Sequence, residues 1–269
     1  MDPEKKAFLE KVMSSMVENE SKTMKDIVEA IKGPEETLDQ ANAKQEALEE
    51  AIDRCDKIDY AVGFHSFANG LFPTIDLLET SEHGNVRSAA AELIALVVKD
   101  NPPCQAWAFE GRALERLLAL HSGNVKSGPV GETEKVRAVS AMYALIQHTP
   151  EAQMAFMKAG GMEALRNDLA PDGGAGRRLK ARTLFVLRSL LIESSSARAA
   201  CLEHADTIPL LAAHSVQVGE EEWSDHATAA LEALASQAAG KDDASKICAA
   251  ILSSDADYMK RLQDRYAML

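Results

Sequence analysis

The chain has 269 residues, a formal net charge of −13 and a pI near 5.0, and 46% of its residues are hydrophobic. The acidic balance excludes a general nucleic-acid-binding surface, because such a surface needs a basic face. Aromatic residues make up only 5% of the chain, and the abundance of Ala and Leu favours packed helices over sheets.

The N-terminal region is predicted to contain several helices before any repeat begins. Residues 1–22 are predicted to be a helical or flexible segment, with Phe8 and Val12 on one side of a helix over residues 4–18. A break at residues 19–22 separates this helix from a second one, over residues 23–31. Further helices are predicted over residues 35–52, 56–67 and 71–78, so that residues 23–84 form a helical cap.

One sequence pattern then occurs four times. Segments that open on a basic or polar step and continue with small and aliphatic residues start at Val86, Val136, Leu179 and Ser224, which are 50, 43 and 45 residues apart. A period in the forties with only helical signals is typical of an armadillo or HEAT array. Two shorter helices accompany each long one, and this favours the armadillo unit. The predicted fold is therefore all-α, a right-handed superhelix of armadillo repeats (an alpha-alpha solenoid) with helical caps at both ends.

The pattern also gives the limits of the repeats. Repeats are predicted at about residues 85–132, 133–176 and 177–221, followed by a degenerate C-terminal repeat and cap over 222–269. The helices expected in the last segment cover residues 222–238, 241–253 and 255–268.

The sequence offers no constellation of catalytic residues. The seven histidines form no His-Glu-x-x-His pair, and no Gly-x-Ser-x-Gly elbow occurs. The Gly-rich loops at 122–132 and 171–176 follow no strand and lack the Lys-Ser/Thr step of a phosphate loop. The acidic triplet Glu220–Glu222 is interpreted as the first turn of a helix, not as a metal site. We therefore expect a binding module and not an enzyme, with no cofactor and no metal.

The cysteines and the lack of targeting signals indicate the compartment. The chain has four cysteines, and they are too far apart in sequence for a metal clip or a redox pair: Cys55, Cys104, Cys201 and Cys248. We interpret them as buried free thiols. No apolar run approaches the roughly 18 residues of a membrane span, and the N-terminus lacks the pattern of a secretory signal. We expect a cytosolic monomer that contacts neither membrane nor nucleic acid.

Several segments, in order and over about residues 23–269, resemble one known family. They are Met24-Lys-Asp-Ile-Val-Glu-Ala-Ile, Thr37-Leu-Asp, Ala47-Leu-Glu-Glu-Ala-Ile-Asp, Asp56-Lys-Ile-Asp-Tyr-Ala, Phe64-His-Ser-Phe-Ala-Asn-Gly-Leu, Leu179-Lys-Ala-Arg and Leu262-Gln-Asp-Arg. The chain thereby resembles the armadillo-type nucleotide exchange factors of DnaK-type (70-kDa heat-shock) chaperones, whose cytosolic members include the animal heat-shock-binding protein and its fungal counterpart.

The resemblance implies a function and a partner. The concave side of the chain would bind one lobe of the ATPase domain of a 70-kDa heat-shock chaperone and promote ADP release, with no chemistry by the factor itself. Family members also carry a mobile N-terminal segment that helps free bound substrate. Here only about 22 residues precede the region of resemblance.

The concave wall of a solenoid comes from its long helices, and one stripe on each should face the partner. The positions three, six and ten residues after the starts at 86, 136 and 179 are Ala89, Glu92, Leu96, Val139, Met142, Ile146, Arg182, Phe185 and Ser189. Charge at Glu92 and Arg182 requires water or a partner, and Met142 and Phe185 are large enough to anchor an interface. Leu96, Val139 and Ile146 fit equally well in an ordinary core.

An alternative function stays open from the sequence. A generic armadillo adaptor would bind an extended peptide or protein through asparagines on its concave helices, without exchange activity. The equivalent positions here are Leu96, Ile146 and Ser189, which weakens this alternative.

Overall fold

The computed structural model describes residues 3–204, 206–215 and 221–236, and every regular element in these ranges is a helix. The helices are α1 Pro3–Lys32, α2 Leu38–Cys55, α3 Ile58–Ser66, α4 Leu71–Thr80, α5 Gly84–Val98, α6 Pro102–Glu110, α7 Ala113–Ser122, α8 Glu132–Ile146, α9 Pro150–Lys158, α10 Gly161–Leu169, α11 Arg177–Glu193, α12 Ser195–Glu203, α13 Thr207–Ser215 and α14 Glu221–Ser236. The all-α prediction is confirmed.

The predicted alternation of one long and two short helices is present. The long helices α5, α8 and α11 have 15, 15 and 17 residues, and each is followed by two helices of nine or ten residues. Proline explains two of the starts, because Pro102 and Pro150 occupy the first turn of α6 and α9, where a missing N–H costs nothing.

The predicted break near the N-terminus is wrong. Helix α1 continues from Pro3 to Lys32 without interruption at residues 19–22. That segment contains neither Gly nor Pro, and the Thr23 hydroxyl donates to the Asn19 carbonyl at 3.0 Å inside the helix. The helix ends at Gly33-Pro34, as the sequence indicates.

Helix α2 begins where its capping residues dictate. The Thr37 hydroxyl accepts from the Gln40 backbone N–H at 3.3 Å, and the Gln40 side-chain oxygen accepts from the Thr37 backbone N–H at 3.1 Å. This reciprocal pair is a capping box, and it satisfies two donors that the first turn leaves open. Helix α2 then packs along α5 and against α1 and α3.

The chain divides into two compact units, with the boundary after Leu145. The first unit has an aliphatic core in which the side chains listed next are fully buried: Leu48, Leu71, Ile75, Leu78, Leu93, Ile94, Leu117 and Leu120. In the second unit the corresponding set is Phe156, Leu165, Leu184, Leu187, Leu190, Leu191, Leu211 and Leu231. Here α11 packs along α14, and α13 also contacts α14.

Two expectations fall beyond these ranges. The helices predicted at 241–253 and 255–268, with the C-terminal cap, lie outside the described residues. In the part of the chain that the structure describes, no helix is both long enough and apolar enough to cross a bilayer.

Candidate partner-binding surfaces

The predicted residues on α5 are partly exposed. Glu92 and Leu96 are half-buried on one side of the helix, whereas Ala89 is only 7% exposed. Glu92 forms an ion pair with Arg137 of α8, with 2.6 Å between Arg137 Nη1 and Glu92 Oε1. The exposed side of α5 therefore carries a charged residue that bridges to the next long helix.

The predicted stripe on α8 is out of register. Val139, Met142 and Ile146 are 0%, 1% and 0% exposed, so these side chains belong to the core, the alternative that the sequence left open for two of them. Helices α5 and α8 begin at Gly84 and Glu132, which are 48 residues apart, whereas the matched sequence motifs are 50 apart. Aligning the motifs therefore displaced the stripe by two residues.

The side of α8 that the sequence reasoning missed is formed by Arg137, Ser140 and Tyr143, all half-buried. Their spacing of three is that of one helical face. Arg137 and Ser140 are polar, and this polarity is the signal in the sequence that could have identified the exposed side of α8.

On α11 the predicted residues share one face of the second unit. Arg182, Phe185 and Ser189 are half-buried, and the Arg182 guanidinium lies 4.9 Å from the centre of the Phe185 ring. His226 of α14 meets the same ring edge-on, with centroids 5.5 Å apart, and its Nδ1 lies 3.3 Å from Arg188 Nη1. This face combines positive charge with an aromatic ring, a composition common at binding hot spots.

A buried ion pair joins α5 to α8 in the first unit. Arg87 is 1% exposed, and its Nε donates to Glu134 Oε1 at 2.7 Å. The same guanidinium donates to the carbonyls of Ser81 at 2.8 Å and Pro129 at 2.9 Å. The other oxygen of Glu134 accepts from the Gly131 backbone N–H at 2.7 Å. The Gly-rich loop before α8 is thus held in place at both Pro129 and Gly131.

A second polar group continues this arrangement toward α2. The Lys44 ammonium, on a side chain 6% exposed, lies 3.0 Å from Glu35 Oε2. The other oxygen of Glu35 accepts from the Ser81 hydroxyl at 2.5 Å. Because Ser81 also contacts Arg87, buried polar contacts connect the N-terminal parts of three long helices.

An open groove of about 540 Å³ lies over these helices. Ala89 and Ser88 contribute to it from α5, Gln45 and Glu49 from α2, and residues 131–134 from the start of α8. Four of its lining residues are glutamates, and none is basic: Glu49, Glu92, Glu132 and Glu134.

Among the described residues, metal-ligating side chains do not cluster, and the three thiols are buried. No group of three or more His, Cys, Asp or Glu side chains within the described ranges could hold a metal ion. Burial raises the pKa of the Cys55 and Cys201 thiols to about 12 and that of Cys104 to about 11, which keeps them protonated and unreactive. Of the acidic triplet, Glu220 lies outside the described residues, and α14 begins at Glu221.

Repeated groups of one long and two short helices, with open faces on the long ones, define an armadillo-type repeat protein. The chain is similar to a designed armadillo repeat protein, with a TM-score of 0.71 over 89% of this chain and 92% of that one at 17% identity. That likeness concerns the fold alone.

A model of the SIL1/FES1/HPBP1 C-terminal domain matches residues 66–217, and the chain belongs to this family. The nucleotide exchange factor SIL1 of Mus musculus is 30% identical over 164 residues, which cover 58% of this chain and 33% of that relative. The Rattus norvegicus protein of the same name is 29% identical over the same length. The chain thus spans about a third of the length of these curated relatives.

The family is the one that the sequence motifs resemble, the armadillo-type nucleotide exchange factors of 70-kDa heat-shock chaperones. Its members bind the ATPase domain of the chaperone and are not enzymes, which agrees with the expected absence of catalysis.

Proposed function

We propose that this chain is a nucleotide exchange factor that binds the ATPase domain of a cytosolic 70-kDa heat-shock chaperone and promotes release of its ADP. The observation that carries the proposal is membership of the SIL1/FES1/HPBP1 family over residues 66–217. This match lies within the armadillo-type helices, which is the part of the protein expected to hold a partner.

The proposed contact surface is the exposed face of the long helices in each unit. In the first unit it contains Glu92, Leu96 and the groove floor at Ala89, with Ser140 in place of the buried α8 residues. In the second unit it contains Arg182, Phe185 and Ser189, around which charge and an aromatic ring are already arranged. Preformed surfaces of this kind bind without a large ordering cost.

The proposed mechanism needs no chemistry by the chain itself. A factor that binds the ATPase domain more tightly when its nucleotide cleft is open shifts the domain toward that state and weakens its hold on ADP. Because such coupling is reciprocal, ADP must weaken the complex by the same factor. The proposal therefore predicts two linked equilibrium effects.

The family has both cytosolic and endoplasmic-reticulum members. We propose that this chain is a cytosolic one, because of its cysteines. The thiols of Cys55, Cys104 and Cys201 are free and buried. Free thiols are usual in a reducing compartment. Subcellular fractionation tests this part, and recovery with endoplasmic-reticulum markers would overturn it. We also propose that the chain is a monomer, which light scattering on the purified protein tests.

The deciding experiment is the release of fluorescent ADP from the chaperone ATPase domain, timed with increasing amounts of this chain. We expect the release rate to rise and to saturate, and added unlabelled ADP to weaken the complex in a separate binding titration. An unchanged rate at saturating chain would remove the exchange function. Binding without acceleration would instead favour the adaptor alternative.

A further inference from the structure

The face of α11 in the second unit differs in charge from the same face of the long helices before it. Its side chains, each three or four residues from the next and so on one side of the helix, are Arg178, Arg182, Phe185 and Arg188. Counted from the helix start, the same positions of α8 hold Thr133, Arg137, Ser140 and Tyr143. In α5 they hold Asn85, Ala89, Glu92 and Ala95. The α11 face thus carries three arginines, whereas the α8 face carries one and the α5 face none.

One contact between consecutive long helices occurs in both units, with different chemistry. In the first unit Arg137, the sixth residue of α8, pairs with Glu92, the ninth residue of α5, at 2.6 Å. In the second unit His226, the sixth residue of α14, meets the ring of Phe185, the ninth residue of α11, edge-on. On α11 an aromatic ring therefore takes the position that a carboxylate has on α5, and this contact supplies no counter-charge.

Two arginines at the ends of the α11 face lack a carboxylate partner. Among the side chains that the structure describes, no carboxylate pairs with Arg178 or Arg188. Arg178 is exposed on the first turn of α11, and Arg188 is half-buried about 15 Å further along the helix. The polar neighbour of Arg188 is His226, with 3.3 Å between Arg188 Nη1 and His226 Nδ1. Because a guanidinium can only donate hydrogen bonds, this histidine nitrogen accepts and brings no negative charge.

The side chains between these two arginines are ordered by their stacking. The Arg182 guanidinium lies 4.9 Å from the centre of the Phe185 ring, and the His226 ring lies edge-on to the same ring at 5.5 Å. A guanidinium that stacks through its flat face keeps its N–H groups directed sideways, in the plane in which carboxylates bind. Side chains that are ordered before binding lose little entropy when a ligand arrives.

We infer that the α11 face binds an acidic segment of the protein partner, with Arg178 and Arg188 as the residues that meet its aspartate or glutamate carboxylates. The inference rests on the proposed function for the partner's identity and adds the chemistry by which the second unit recognises it. A guanidinium suits a carboxylate because it donates two parallel hydrogen bonds to it.

Other occupants fit this face less well. A basic segment would be repelled by the arginines, and an apolar one would leave Arg188 desolvated without a counter-charge, which costs free energy. A nucleic acid carries a charge at every phosphate, and the net charge of −13 of the chain opposes its approach. A protein segment brings only the few carboxylates that the arginines can pair with.

The experiment measures the affinity of the chaperone ATPase domain for the full chain and for its Arg178→Gln/Arg188→Gln variant at several salt concentrations. We expect the variant to bind at least about ten-fold more weakly, because the carboxylates of the partner lose their counter-charges. Its affinity should also depend less steeply on salt. Arg178→Gln alone, at an exposed position, serves as the test if the double variant has a lowered melting temperature, and it should weaken binding by about three-fold or more.

The matched control is Lys99→Gln/Lys158→Gln, which removes the same charge from exposed positions at the ends of α5 and α9. Its affinity should stay within about two-fold of that of the unsubstituted chain, because charges outside the contact surface contribute little. An equal loss of affinity in the control would assign the effect to the overall charge of the chain and overturn the inference.

The sign of the occupant's charge is tested by comparing Arg188→Gln with Arg188→Glu. An acidic occupant is repelled by the introduced carboxylate, so the glutamate variant should bind more weakly than the glutamine variant. Equal affinities, or tighter binding by the glutamate variant, would contradict the inference. Unchanged affinity of the double variant would also contradict it and leave the exchange function intact. If the unsubstituted chain neither binds the ATPase domain nor speeds ADP release, the proposed function fails, and the inference fails with it.

Discussion

Arg87 and Glu134 are 47 positions apart in sequence and form a buried ion pair, with 2.7 Å between Nε and Oε1. Both side chains are under 10% exposed, and together they satisfy the Ser81 and Pro129 carbonyls and the Gly131 N–H. A buried pair is favourable only when its remaining donors and acceptors are also satisfied. This pair meets that condition, and it fixes the start of α8 relative to α5.

We predict that Arg87→Met strongly destabilises the first unit. Methionine fills part of the space but leaves the buried Glu134 carboxylate without its cation, and it removes the donor to the Ser81, Ser127 and Pro129 carbonyls. The loss should be about 3–5 kcal/mol, the usual cost of removing one member of a buried pair. Urea denaturation measures this loss of stability, and an unchanged m-value shows that the variant unfolds to the same extent as the unsubstituted protein.

Arg116→Met is the control for that prediction. Arg116 pairs with Asp76 and Glu79 at the surface, where both carboxylates are more than half exposed. Exposed pairs contribute about 0–1 kcal/mol to stability, so the free energy of unfolding of this variant should lie close to that of the unsubstituted protein. Equal and small losses for both arginines would mean that the Arg87 network does not hold the unit together.

A second prediction concerns the face that α8 presents. Met142→Ala should lower the free energy of unfolding by about 2–5 kcal/mol, because it opens a cavity in the core. Ser140→Ala, on the half-buried side, should change it by less than about 0.5 kcal/mol. Thermal unfolding distinguishes the two variants. A loss of chaperone binding by Met142→Ala with an unchanged melting temperature would restore the register that the motifs suggested.

The helices could be predicted from sequence because their punctuation is local. Pro102 and Pro150 mark the starts of two short helices, and Gly33-Pro34 marks the end of α1. The register of α8 could not be predicted in this way. Helices α5 and α8 share a Val-Arg step, but this step does not fix the residue at which each helix begins. The buried role of Arg87 was also hidden, since arginine is usually exposed and its partner lies on another helix.

A third prediction tests the α11 face. Arg182→Ala should weaken binding to the chaperone by about ten-fold or more, equal to about 1.4 kcal/mol. Stability should fall by no more than about 2 kcal/mol, the value of a desolvated cation–π contact, because Arg182 and Phe185, which make this contact, are half-buried. Lys158→Ala, which removes an exposed charge from the short helix α9, is the control. Binding by Arg182→Ala equal to that of this control would place the partner elsewhere.

A fourth prediction uses the groove floor. Ala89→Arg introduces a long side chain that the groove of about 540 Å³ can accommodate, so the fold should survive. The introduced guanidinium would occupy the space and meet the glutamates of the groove, and chaperone binding should be largely lost. Ala106→Arg, at an exposed position on the short helix α6, should bind normally. A large fall in melting temperature for Ala89→Arg would show that the groove cannot accept the side chain.

The last prediction concerns the buried cysteines and pH. Burial, the main cause, raises the pKa of Cys55 and Cys201 from 9.0 to about 12 and that of Cys104 to about 11. A thiol whose pKa is higher in the folded state favours folding fully below the unfolded value near 9. This contribution is lost as pH rises toward 11–12, because the unfolded chain then releases protons that the folded chain retains. Stability should therefore decline over this window, and replacing the three cysteines with alanine should flatten the decline.

In a Cys248→Ser background, which removes the thiol outside the described residues, native protein at pH 8 should resist alkylation until urea unfolds it. Fast labelling at an unchanged melting temperature would mean that the thiols are accessible and not held in the core.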